Sequence, residues 1–161
     1  MKDSIPFYNS DLKGILKNLI GNWNFRRLIN DALEQKQRYA CGNSSFVKNE
    51  NAENTLNYVE TGKLTWDNTK EFNFSRKYIY QLNNKNIDII FDDGISIGKH
   101  FQTLLPANSD AAFIGSEHLC KLDKYNSSYQ FVSKDEFIIT YLIVETKKKL
   151  TITTTYNKQI N

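Results

Sequence analysis

The spacing of apolar residues changes once along this chain. In SDLKGILKNLI (10–20), Leu12, Ile15, Leu16, Leu19 and Ile20 recur at helical intervals and mark one face of a helix. Ser10 is placed to cap it, and Gly21 stands where a C′ glycine ends a helix. From residue 22 onward the period is two. NWNFRRLINDAL (22–33) alternates Trp23, Phe25, Arg27 and Ile29, and a weaker strand covers 37–49. NTLNYVETGKLTW (54–66) sets Leu56, Tyr58, Glu60, Gly62, Leu64 and Trp66 on one face. EFNFSRKYIYQL (71–82) does the same with Phe72, Phe74, Arg76, Tyr78, Tyr80 and Leu82. Further strands are expected over 86–93, 95–104, 111–123, 125–133, 136–146 and 149–158. The joins are short and of turn chemistry: DNTK, Asn83-Asn84, Asp93-Gly94 and Lys147-Lys148. About ten half-apolar strands in an unbroken antiparallel meander must close or stack to bury their inner face. Closure into an up-and-down barrel is the simplest solution. The expectation is an all-β, lipocalin-like or calycin-like barrel over 22–158, covered at one end by helix 10–20, in a single domain over 1–161.

Composition sharpens this picture. A chain of 161 residues buries enough surface for one domain without staples. Aromatics make up 13%, and with seven glycines and two prolines the turns fall to asparagine, which suits an all-β domain. The two cysteines, Cys41 and Cys120, are too few for a disulfide framework and form no C-x-x-C pair. They read as small buried hydrophobes in a reducing compartment. MKDSIPFYNS lacks the apolar core of a signal peptide, and no apolar run reaches the roughly 18 residues of a membrane span. A cytoplasmic protein with no membrane contact is expected. The net charge of +3 is mild, and the one basic cluster, Lys147 to Lys149, sits at a turn, so no nucleic-acid partner is expected.

The candidate chemistry lies on two neighbouring strands. The apolar face of 54–66 carries one ionic residue, Glu60; that of 71–82 carries Arg76. If Leu64 faces Phe72, Glu60 lies directly opposite Arg76; if Trp66 faces Phe72, the two are diagonal neighbours. Charges on an apolar face are paired or used. One reading is a structural ion pair inside the barrel. The other is an anion site with Arg76 as the fork and Tyr58, Tyr78 and Tyr80 along the wall.

HLCKLDKY (118–125) gathers an imidazole, a thiol, a carboxylate and a phenol within eight residues. A metal site needs three or four ligands, and His100 is the only other imidazole, so no metal is expected. His118 and Cys120 share a strand face, but nothing orients the histidine as a base toward the thiol. The stretch reads as a strand end, a turn at Asp123-Lys124, and a polar patch around His118 and Tyr125 that is either structural or ligand-facing.

Gly21-x-Trp23 at the start of the first strand resembles lipocalins and related calycin barrels. There the tryptophan plugs the closed end under a basic residue, a role open here to Lys158, Arg26 or Arg27. A second resemblance covers 20–158. Gly21, Trp23 and Arg27; Tyr58, Glu60, Gly62 and Leu64; Arg76, Tyr78 and Tyr80; Phe91, Asp93 and Gly94; His118, Cys120, Asp123 and Tyr125; and Lys148 and Tyr156 match the pattern of an uncharacterised, largely bacterial family of unknown function. Glu145-Thr146 stand where that pattern has Gly-Pro, and Lys158 replaces its final arginine. The resemblance implies a lipocalin-like barrel and marks Glu60, Arg76 and His118 as motif positions. It brings no activity.

The leading expectation is a small-molecule-binding barrel whose ligand carries an anionic group, with Glu60, Arg76, Tyr58, Tyr78, Tyr80, His118 and Tyr125 at the site and no cofactor. The last strand has no histidine for a haem. The alternatives are an enzyme using Glu60 or His118 as acid–base with Arg76 on an oxyanion, and an interaction module built on a packed barrel.

Overall fold

Period-two alternation produces strands, and a continuous run of antiparallel hairpins produces a ring. The computed structural model describes residues 12–67, 69–107, 112–120 and 123–160, with the backbone alone for Ala112, Glu117, Leu119, Cys120 and Asp123. Helix α1 (Leu12–Leu19) is followed by β1 (Gly21–Asp31), β2 (Lys36–Lys48), β3 (Thr55–Trp66), β4 (Lys70–Asn83) and β5 (Asn86–Phe91). Then come β6 (His100–Pro106), β7 (Ala112–Cys120), β8 (Asp123–Ser133), β9 (Glu136–Glu145) and β10 (Lys148–Lys158). Each strand pairs with its sequence neighbours, and β1 pairs with β10, so the ten strands form a closed antiparallel barrel. Ser10 and the start of the expected helix lie outside the described residues.

α1 buries Leu12, Ile15, Leu16 and Leu19 against one end of the ring. Its last carbonyls are satisfied by side chains of the barrel. The Trp23 indole Nε1 donates to the Leu19 carbonyl at 2.8 Å, and the Lys158 ammonium donates to that of Asn18 at 2.8 Å. A cation at a helix C-terminus is favourable for the helix dipole as well. The same ammonium stands 5.2 Å from the centroid of the Trp23 ring, which is 1% exposed and meets Phe137 edge-on. Of the three cations open to that role, Lys158 fills it. Gly21 turns the chain from helix to strand at φ 134°, a conformation that disfavours any side chain.

Two expectations are corrected. Ile95 and Ile97 do not belong to a strand: Gly94–Ser96 is a 3-10 turn, both isoleucines are exposed, and β6 begins at His100. Gly94 and Gly98 take positive φ there, which breaks the strand that the alternating isoleucines mimic. Cys41 is exposed rather than buried, because the inner face of β2 is the set Arg38, Ala40, Ser44 and Phe46. The Cys120 side chain lies outside the described residues.

The ring is pinned unevenly. Among the described residues β6 and β7 pair at three positions, and β7 carries a bulge between Gly115 and His118. The fully buried Gln102 spans this seam: its amide donates to the Ser116 carbonyl, and its oxygen accepts from Ser127. At the end away from α1, β5 covers β4 only from Tyr78 onward. Residues 70–76 of β4 therefore pair with β3 alone, as one side of a hairpin at the barrel mouth.

Candidate functional site

The hairpin register sets Leu64 against Phe72, so Glu60 lies directly opposite Arg76. Their side chains nevertheless separate. Glu60 is 4% exposed, and its Oε2 accepts from Arg27 Nη2 at 2.7 Å. Arg76 lies in the uncovered part of β4 and is exposed, with no ion-pair partner among the described residues. The expected Glu60–Arg76 pair is thus replaced by Glu60–Arg27. Arg27 reaches Glu60 from β1 across β2, because the inner face of β2 is small there: Ala40 is paired with Arg27, and Gly42 follows. One register row reads Phe25, Gly42, Gly62, Phe74, two rings flanking two glycines. The Arg27 guanidinium lies 4.8 Å from the centroid of the Phe25 ring and 5.7 Å from that of Phe74. Its Nε also donates to Thr154 Oγ1 at 2.8 Å. Burial works against the Arg27 charge, but Tyr156 and Glu60 outweigh it and raise its pKa, so Arg27 is a permanent cation.

Around this pair is a cavity of about 400 Å³. Its aliphatic wall is Ile29, Leu64, Ile139, Ile143 and Ile152; its aromatic wall includes Phe72, Phe74 and Phe101. Tyr58, Tyr78, Tyr80, Tyr125, Tyr141 and Tyr156 bring phenols to the same space. The hydroxyls are knitted together, Tyr58 with Tyr156 at 3.1 Å and Tyr80 with Tyr129 at 2.9 Å. Burial pushes Tyr78 and Tyr156 up to about 12 and holds Tyr58, Tyr80, Tyr129 and Tyr141 well above the ordinary phenol range. At neutral pH the phenols are neutral donors and acceptors.

Six of the seven residues singled out in the sequence line this cavity: Tyr58, Glu60, Arg76, Tyr78, Tyr80 and Tyr125. His118 stands behind the lining, its ring 5.1 Å from Phe101, 5.8 Å from Phe91 and 6.1 Å from Tyr125. Burial and then the positive field of His100 lower its pKa, against a hydrogen bond to the Phe101 backbone. HLCKLDKY is therefore the end of β7 and the start of β8, with Cys120 opposite Asp123 in register. Among the described residues, no group of three or more His, Cys, Asp or Glu side chains could hold a metal ion. Arg27, Tyr141 and Tyr156 also line the lumen, beyond the residues expected there from the sequence. The alternation Trp23, Phe25, Arg27, Ile29 carried the signal for Arg27, a single cation in an inward-facing set.

A closed ten-stranded antiparallel barrel, capped at one end by a helix and hollow toward the other, defines a calycin-like barrel. Residues 19–158 match the profile of a family described as a family of unknown function (DUF6314), and the chain belongs to that family. No curated protein matches it in sequence. Among solved structures it is similar to the S-type phycobiliprotein lyase CPES from Guillardia theta, with a TM-score of 0.73 at 11% identity over 97% of each chain. It is also similar to Rv2717c from M. tuberculosis, with a TM-score of 0.64 at 12% identity over 93% of this chain and 98% of that one. A third is a DUF3598-family protein of unknown function from Nostoc punctiforme, with a TM-score of 0.60 at 9% identity over 89% of this chain and 49% of that one. What these share with the chain is the barrel. No helix among the described residues is long and apolar enough to cross a membrane.

Proposed function

We propose that the barrel binds a small molecule with a flat, largely apolar body and an anionic group, in the cytoplasm and without a nucleic-acid partner. The observation that carries this reading is a cavity of about 400 Å³, walled by aromatic and aliphatic side chains, in which Arg76 is the one cation without an ion-pair partner among the described residues. That volume falls within the range of small-molecule sites. The body of the ligand stacks against Tyr58, Tyr78, Tyr80 and Tyr125, and its anionic group takes the Arg76 fork. Glu60 and Arg27 neutralise one another and offer a polar floor, while His118 braces Phe101 from behind. The acid–base alternative has less support, because Arg27 holds the Glu60 carboxylate and His118 stands off the cavity. The hollow lumen speaks against a packed interaction module.

Native mass spectrometry of the protein purified from its own host tests this. The wild type is expected to carry an acidic small molecule, and Arg76→Met is expected to retain at least tenfold less, the loss of one charge-assisted hydrogen bond. A wild type that runs at its bare mass, and whose melting temperature aromatic carboxylates leave unmoved, overturns it.

A further inference from the structure

A second arginine stands at the mouth. Arg38 occupies an inward position of β2, nearer the barrel mouth than Ala40, and pairs in register with Ile29 of β1. Ala40 and Ile29 both line the cavity, as does Leu64, two residues before Trp66. Arg38 is 7% exposed, and its Cζ lies 3.4 Å from the centroid of the Trp66 ring. Its Nε is buried and has no hydrogen-bond partner. Its nearest carboxylate is Glu34, on the turn between β1 and β2, which is itself mostly exposed and stands 3.6 Å from Nη2, beyond hydrogen-bond length. The contrast with Arg27 is direct. Arg27 spends its donors on Glu60 and Thr154, whereas Arg38 has only the exposed Glu34 at long ion-pair distance, rests on a π face and leaves Nε unmet.

An unmet buried donor is destabilising, and a guanidinium whose Nε has nothing to donate to is matched by a planar carboxylate. Trp66 supplies a platform beside it, and the exposed Phe72 stands on the facing strand of the same hairpin. From this we infer that Arg38 on Trp66 is a second anion receptor at the barrel mouth, so that the ligand carries two anionic groups, one for Arg76 and one for Arg38. This rests on the small-molecule reading above and narrows it to flat aromatic or conjugated diacids. Binding draws the guanidinium from the Trp66 face toward the carboxylate, so Trp66 emission reports it.

Biphenyl-4,4′-dicarboxylate, its monomethyl ester and its dimethyl ester form a graded set of probes for calorimetry and tryptophan fluorescence. In the wild type, the dianion is expected to bind at least tenfold tighter than the monoanion, and the monoanion tighter than the diester. Arg38→Met is expected to bring the dianion down to the monoanion's affinity and leave the monoanion unchanged. Arg38→Lys, which keeps the charge and loses the fork, is expected to fall between, and both variants are checked for an unaltered circular dichroism spectrum. The emission change on adding the dianion is expected to vanish in Trp66→Phe. If none of the probes binds the wild type, the small-molecule reading falls and the inference with it. If the monoanion binds through Arg76 but the dianion gains nothing, or Arg38→Met and Arg38→Lys lose nothing, the inference alone is overturned and Arg38 is a structural partner of Trp66.

Discussion

The carboxylate of Glu60 is 4% exposed on the floor of the lumen, and a single guanidinium meets it. Breaking such a pair leaves the other charge buried and unpaired, typically at a cost of roughly 3–5 kcal/mol. Glu60→Ala and Arg27→Ala are each expected to lose that much stability in urea unfolding. The double replacement Arg27→Met with Glu60→Leu is expected to be much milder, because no orphan charge remains. Single variants as stable as the wild type would place both groups in water and contradict the geometry. Part of this was legible in the sequence. Alternation put Glu60 inside, and even parity put Arg76 across from it, as the register shows. The partner was not legible from the hairpin, because it comes from a strand two places away. Its reach depends on side chains that are missing, at Gly42, and short, at Ala40.

Between β2 and β3, those glycines decide how closely the backbones approach and how the rings above them fill the gap. A Cβ on Gly62 would stand 2.6 Å from the Cys41 carbonyl oxygen, 2.9 Å from Phe74 Cζ and 3.0 Å from Phe25 Cζ. Backbone on one side and packed rings on the other leave it nowhere to go. Gly62→Ala is expected to cost roughly 1–3 kcal/mol, the range for overpacking a filled space. Because the displaced rings carry Arg27, the Arg27–Glu60 contact is expected to loosen as well. A urea midpoint equal to that of the wild type would show the wall to be more yielding than this. Most strands could be read from period two alone, because one face meets the core and the other meets water. The segment from Ile95 to Ile97 could not. It alternates as a strand does, but the glycines at 94 and 98 adopt backbone angles that end a strand, and hydropathy does not record which face gets buried.

For the barrel as a whole, the phenols couple stability to alkaline pH. A phenol whose folded pKa is raised holds its proton longer in the folded state than in the unfolded chain. Its contribution is fully present below about pH 10, the unfolded value, and is lost as pH rises through the folded value. For Tyr78 and Tyr156 that window runs up to about 12. Stability is expected to fall steadily above pH 10, on the order of 2–3 kcal/mol for each of these two phenols. Tyrosinate absorbance of the folded protein should lag that of the urea-unfolded chain; coincident titrations would contradict the buried network. The seam between β1 and β10 bears on how the molecule comes into being. Thr154 holds Arg27, Tyr156 lines the lumen, and Lys158 covers Trp23, so the last strand completes the floor of the cavity and the cap together. On the ribosome, β1 and β9 wait with open edges until those residues emerge. Open edges recruit other chains, and pairings between distant parts of a sequence form slowly. The interval before the ring shuts is therefore the vulnerable stage in the life of this protein, and a nascent chain halted short of β10 would leave it with neither a lumen nor a lid.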